Sequence, residues 1–305
     1  MTVFEKAKAF IYRNARPLDL ARWQYHFENG NKENILKALS FYQNDDGGFG
    51  HAIEADSFNP NSAPIQTWAA TEILREIDFK DKNHPIIKGI LNYLDSGSDF
   101  DTLNNQWLNT VPSNNNYPHA VWWQYGENGS EFKYNPTASL AGFIIRFADK
   151  NSELYKKGCN IAKQAFEYFI KNVPFEEMHV INCFIRLYEY CSESDSVLFD
   201  MSVFKNKLIE QVNSNICKDT DKWQKEYVTL PSSFIKNKKS IFYTDNSDIA
   251  EAECEFILNN QLPDGAFPVP FQWFNEYKES EIAINWWKSE IIINNMRYLS
   301  QMGKI

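Results

Sequence analysis

The chain has 305 residues, a net charge of −9 and 15% aromatic residues, with nine tryptophans. An acidic balance of this kind excludes nucleic acid and an anionic membrane surface as default partners, because both are gripped by clustered Lys and Arg. No apolar run is long enough to suggest a membrane span, and the length suffices for one large core, so a single domain over residues 1–305 is expected.

Residues 2–13 and 17–28 read as amphipathic helices, the second opened by Pro17 in its first turn. Asn31 to Tyr42 is a third, with Ile35, Leu36, Leu39 and Tyr42 on one stripe, and it is expected to end at Asn44, where Gly47 and Gly48 free the chain to turn. Gln43 and Phe49 flank that turn. A glutamine there can bridge free carbonyls and amides at helix ends, and the aromatic can fill the space beneath the loop. The pattern recurs as Gln261-Leu262-Pro263-Asp264-Gly265-Ala266-Phe267, again after an apolar helical run. Such self-similarity predicts helix pairs closed by one kind of turn.

An Asn/Pro-rich loop at 57–61 leads into a helix from Ser62 to Ile77 whose apolar residues cover more than one face, so it is expected in the interior. His84 to Leu94 is another helix. The segment Asp95 to Tyr134 is long and polar, with Gly97, Gly126, Gly129, Pro112 and Pro118, but its interleaved Tyr117, His119, Trp122, Trp123 and Tyr125 predict an ordered loop over one end of the domain. Asn135 as cap and Pro136 in the first turn open a helix to Ala148 that is apolar nearly all round. Helices at 152–172, 175–191 and 197–216 follow, the middle one interior. After a second polar loop at 217–245, Asp248 and Glu251 read as a capping box for a helix to Asn260, and a last helix covers 279–301. Almost nothing reads as strand. The alternation predicts an all-α protein, an α/α toroid with an inner ring of helices inside an outer ring, about 10–12 in all.

The five cysteines, Cys159, Cys183, Cys191, Cys217 and Cys254, follow no regular spacing and fit reduced thiols in a cytoplasmic protein. Met1 to Arg16 alternates charged with apolar residues and reads as neither signal peptide nor anchor.

His51, Glu54 and Asp56 follow the glycine turn and precede an interior helix, which places them near one mouth of the toroid as candidate base, acid and orienter, or as ligands of one metal. His119 joins them if the long loop folds over the same mouth. Trp68, Tyr117, Trp122, Trp123 and Trp286 are the candidate substrate-binding aromatics, with Trp287 beside Trp286 expected to face the other way. The plainer alternative is that the polar groups hydrogen-bond the loop and the aromatics staple it down. An aromatic cavity bearing acids suits a carbocation, through ring quadrupoles, or a sugar, through stacking.

Phe256-Ile257, three residues, Gln261, three residues, Gly265, one residue, Phe267 resembles the QW-type repeat of terpenoid cyclases, with Ala38-Leu39 leading to Gln43, Gly47 and Phe49 as a looser copy. The run Gln43-Asn44-Asp45-Asp46-Gly47-Gly48-Phe49-Gly50 is also similar to the repeat of protein prenyltransferase β subunits. The resemblance implies the α/α toroid and a small-molecule partner, an isoprenoid or another largely apolar ligand, in a central cavity. The families' catalytic signatures are mostly missing. Asp99-Phe100-Asp101-Thr102 lacks the final Asp of an Asp-x-Asp-Asp acid, Asp45-Asp46 lacks a third metal-binding partner, and no Asp-x-Cys is present for zinc. Three readings therefore stand: a cyclase- or prenyltransferase-like enzyme, a carbohydrate-active enzyme using Glu54, Asp56 and His119, and a toroid that binds without catalysis. The cofactor and the oligomeric state are not legible.

Overall fold

A computed structural model describes residues 1–126, 133–194 and 197–305. In chain order the elements are α1 (Val3–Asn14), α2 (Pro17–Phe27), α3 (Lys32–Ser40), α4 (Pro64–Glu76), α5 (Pro85–Ser96), the two-residue strands β1 (Phe100–Asp101) and β2 (Gln106–Trp107), α6 (Thr137–Phe147), α7 (Glu153–Asn172), α8 (Met178–Ser192), α9 (Met201–Asn215), α10 (Ser247–Asn259) and α11 (Ser280–Gln301). Among the described residues the protein is mostly helical, with β1–β2 its one named strand pair. Among the described residues no helix is long and apolar enough to cross a membrane. Gly129 of the long loop lies outside the described residues.

The chain divides into two compact units, one built from Met1–Leu39 with Val212–Ile305 and the other from Ser40–Gln211. In the first unit, α1 packs on α2 and α11. Thr2 and Glu5 cap α1 reciprocally, which satisfies two of its orphan amides. Asp19, fully buried, accepts from Arg16 at 2.7 Å, and Arg22 pairs with both Asp19 and Glu290, so the buried charges are compensated. The 217–245 segment is ordered by three short 3-10 turns and by buried Trp223, Phe234, Ile235 and Phe242. The expected Asp248/Glu251 capping box is absent: α10 begins at Ser247, and Asn246 at its N-cap makes no cap bond. Asn246 instead donates to Asn213 and to the Phe242 carbonyl, while Lys238 and Lys304 occupy the Glu251 carboxylate.

In the second unit, α6 is the core, with all but one of its residues buried, and it packs on α7 and α8. Asn135 is not its cap; the helix starts one residue late, with Pro136 at the N-cap and Asn135 turned to accept from the Cys183 thiol at 3.4 Å. The Thr137 hydroxyl accepts from the Trp107 amide at 2.9 Å and so ties β2 to the head of α6. Asn135 meets Cys183 near the start of α6 and α8, and Arg146 meets Glu193 near their ends. Glu72 pairs with Arg186, and Arg75 with Glu193, in the same order along α4. The helices α4, α6 and α8 therefore run parallel, with their N-terminal ends at one end of the unit.

The two glycine turns have one geometry. Gln43 Nε2 donates to the carbonyl of Gly47 at 2.9 Å and to that of Ile86, at the start of α5, at 3.2 Å. Gln261 Nε2 donates to the carbonyl of Gly265 at 3.0 Å and to that of Val3, at the start of α1, at 2.9 Å. In each, an aspartate accepts from the amide two residues on: Asp46 from Gly48 and Asp264 from Ala266, both at 2.9 Å. Phe49 and Phe267 are both buried beneath their turns. The helix before the first turn stops at Ser40, short of the expected Asn44, because Gln43 already pairs across the turn with Phe49.

Candidate functional site

The loop after the first turn wraps the head of α4 in the second unit. Gln66, in the first turn of α4, donates to the Asn59 carbonyl at 3.0 Å, and the Ala63 amide donates to that of Phe49. His51 and Ala52 both have positive φ, near 60°, which is unusual for residues with side chains and marks a strained corner of the kind found at functional sites. Two hydrogen bonds hold this corner: the His51 amide donates to the Asn59 carbonyl, and His51 Nε2 donates to Asn44 Oδ1 at 2.9 Å. The His51 ring is exposed.

The segment around Asp56 pairs with the segment around His119. A bridge pairs Ser57 with His119, flanked by the Phe58 amide donating to Pro118 and the Ala120 amide donating to Asp56. Directly opposite residues of such a pair project to one side, so Ser57 and His119 are neighbours. Asp56 is 2% exposed and accepts from Trp123 Nε1 at 2.7 Å, a charge-assisted bond. His119, also 2% exposed, donates from Nδ1 to the Tyr117 carbonyl at 2.6 Å, and its Nε2 meets the Gln124 side chain at 2.9 Å. Asn59 extends the network to Ser113 and Asn114, each at 2.8 Å, and Asn114 donates to the Trp123 carbonyl. Trp123 thus staples the long loop through a carboxylate, while Trp122 beside it is exposed. Tyr117 is half-buried and contributes its carbonyl. Glu54 is half-buried, and its carbonyl accepts from the Ser57 amide. Trp286 belongs to the first unit, where the Arg16 guanidinium sits 5.3 Å from its ring centre.

Further polar groups gather at the heads of the parallel helices. Gln66 Oε1 and Trp68 Nε1 on α4, Ser139 Oγ on α6, and Ser57 Oγ and Asn109 Oδ1 in the loops are buried without a hydrogen-bond partner. Buried polar atoms in folded proteins nearly always have one; the first unit has similar atoms in Gln261 Oε1, Trp287 Nε1 and Ser289 Oγ. His179, in the first turn of α8, is held below the usual imidazole range by burial, with Glu177 opposing. Burial pushes the Cys183 thiol well up, so it is a neutral donor and not a thiolate nucleophile. The sequence holds one signal for these groups: α4, apolar over more than one face, and α6, apolar nearly all round, carry Gln66, Thr67, Thr71, Thr137 and Ser139, all fully buried.

At the opposite ends of the same helices lies a cleft of about 130 Å³ lined by Arg75, Lys80, Arg146, Tyr190 and Glu193, among others. Three helix C-termini converge there, each carrying partial negative charge, and the arginines offset it while pairing with Glu193. The charges that line the cleft are accounted for by these pairs. Of the two aspartates noted in the long loop, Asp99 accepts from the Tyr93 hydroxyl at 3.2 Å and is raised by burial and by Asp46, while Asp101 accepts from the Asn104 amide. Among the described residues no three His, Cys, Asp or Glu side chains are grouped to hold a metal ion. Compared with protein-family models, with curated proteins and with solved structures, the chain matches none.

Proposed function

We propose that the chain is an α/α toroid of the terpenoid-cyclase and prenyltransferase-β kind, and that it binds a ligand with an apolar body and an anionic or hydrogen-bonding head at the N-terminal ends of α4, α6 and α8. The toroid is supported by the repeated turn. Along the chain α3, turn and α4 are followed by α5, on which the turn docks, and α10, turn and α11 are completed by α1, on which that turn docks. A ring closes when its last repeat finishes on the first helix.

The observation that carries the ligand reading is the set of unpartnered buried polar atoms of Gln66 and Ser139 in the first turns of parallel helices and of Trp68 one residue beyond the first turn of α4. Helix N-termini present unsatisfied amides and partial positive charge, which suit an anionic or acceptor head. The tryptophans on the same end suit an apolar body. Asp56 and His119 are committed to holding the loop, which favours binding over acid–base catalysis by that pair.

Tryptophan fluorescence titrations with farnesyl diphosphate, farnesol and cellohexaose test the reading. Saturable quenching by farnesyl diphosphate, weaker with farnesol and absent with cellohexaose, is expected. Binding of the oligosaccharide alone would overturn it in favour of the carbohydrate reading.

A further inference from the structure

Independently of that site, the first unit holds a buried carboxyl that closes a loop. Glu253 on α10 is 1% exposed and accepts two hydrogen bonds from one residue: the Ser232 amide at 2.7 Å and the Ser232 hydroxyl at 2.5 Å. Ser232 lies in the 3-10 turn Pro231–Ser233, in the middle of the 217–245 loop, which packs on α10 there. From the same loop Lys236 faces the carboxyl, its Nζ donating to the Ser232 and Ser233 carbonyls at 2.7 and 3.2 Å. From α11 the Tyr298 phenol faces it, donating to the Ala250 carbonyl at 3.2 Å. On α10 itself Glu251 and Cys254 flank it, and Glu251 is neutralised by Lys238 and Lys304. The loop also carries Tyr227, whose ring lies 6.4 Å from Phe271, which in turn lies 5.5 Å from Trp287.

We propose that the 217–245 loop is a pH-responsive cover, sealed onto α10 through the Ser232–Glu253 contact when Glu253 is protonated and loosened when it ionises. Ser232 can serve either state, because its hydroxyl donates to a carboxylate and accepts from a carboxylic acid. What differs is the cost of enclosing a charge. With the loop closed, burial pushes the carboxyl up to about 7; with the loop open, the carboxyl meets water and returns to its ordinary 4.5. The closed state therefore binds the proton more tightly, and acid favours closure. Between pH 8 and pH 6 the closed-to-open ratio rises about tenfold.

Hydrogen exchange at the Phe234 and Ile235 amides, both bonded to the Pro231 carbonyl, reads the opening once the intrinsic pH dependence is removed. The intact chain is expected to open about tenfold more at pH 8 than at pH 6, and Glu253→Gln to open equally at both. A wild-type chain with no difference, or a Glu253→Gln variant that keeps it, would overturn the proposal. Should that variant fail to fold, a carbon-13 titration of the Glu253 carboxyl beside the exchange series in the wild type decides: one shared midpoint near neutrality for carboxyl and opening supports the cover, and a carboxyl midpoint in the ordinary carboxylate range, or opening that does not follow it, rejects it.

Discussion

Gln261 Nε2 and the Val3 carbonyl are 2.9 Å apart, although 258 positions separate the two residues. The bond fastens the last glycine turn to the first helix, as the Gln43 bond to Ile86 fastens the first turn to α5. Replacing either glutamine by leucine leaves two carbonyls without their donor. Each unmade bond to a half-buried group costs roughly 1 kcal/mol. Gln261→Leu and Gln43→Leu should therefore destabilise by similar amounts, about 1–3 kcal/mol each, in guanidinium denaturation. A loss confined to Gln43→Leu would show that the second turn only imitates the first in sequence.

The glycines of the turns are tested separately. Gly47 and Gly265 have φ of +89° and +98°, and a Cβ on either would fall 2.1 Å from the Gly89 carbonyl oxygen or 2.3 Å from that of Lys6. Backbone, not a side chain, is in the way. Alanine at either position should cost well over 2 kcal/mol, whereas Gly97→Ala, also at positive φ but with open space around it, should cost about 1 kcal/mol. Equal thermal shifts for all three would remove the close approach as the reason for these glycines.

These comparisons also mark what the sequence disclosed. The turns, their glutamines and the helices were legible because apolar periodicity and glycine placement are local. The caps at Asn135 and Asp248 misread because tertiary partners claimed the side chains: Cys183 takes the Asn135 amide oxygen, and Lys238 and Lys304 take Glu251. At the candidate site the backbones beside Asp56 and His119 pair, but their side chains turn to different partners, Asp56 to the Trp123 indole and His119 to the Tyr117 carbonyl and Gln124. Ser139 and Gln66 are hidden in the sequence because the burial of a polar residue in an apolar helix shows only once the neighbouring helices are placed.

Ser139 separates binding from folding. Its hydroxyl is fully buried and unpartnered, so Ser139→Ala removes a desolvated polar group without breaking a hydrogen bond. Stability should rise or stay level, by up to about 1 kcal/mol, while the affinity for farnesyl diphosphate should fall. A variant that destabilises the fold and leaves binding intact would place this hydroxyl in the core and outside the site.

The Trp123–Asp56 bond gives the reverse pattern. Trp123→Phe keeps the packing and removes a charge-assisted hydrogen bond from a buried carboxylate, so it should cost about 2 kcal/mol, more than Asp56→Asn, which still accepts from the indole. Proteolysis within residues 113–124 should rise with the first variant. If both leave the loop as resistant as the wild type, the other bonds of the Asn59 and Asn114 network hold it alone.

The pH dependence of stability isolates Glu253. Its carboxyl sits at about 7 when folded and at 4.5 when unfolded, so between these values the folded chain holds the extra proton. Stability from this group is therefore full below 4.5, falls as pH rises to 7 and is flat above, a change of roughly 3 kcal/mol. Glu193 and Asp264, lowered by Arg75 and by the Ala266 amide and Lys288, act in the opposite sense, and their contribution is lost only in more acid solution. The difference between wild type and Glu253→Gln cancels those groups. Urea denaturation should show the variant gaining on the wild type from pH 5 to pH 8, and parallel curves across that range would mean that the carboxyl stays ionised in its buried site.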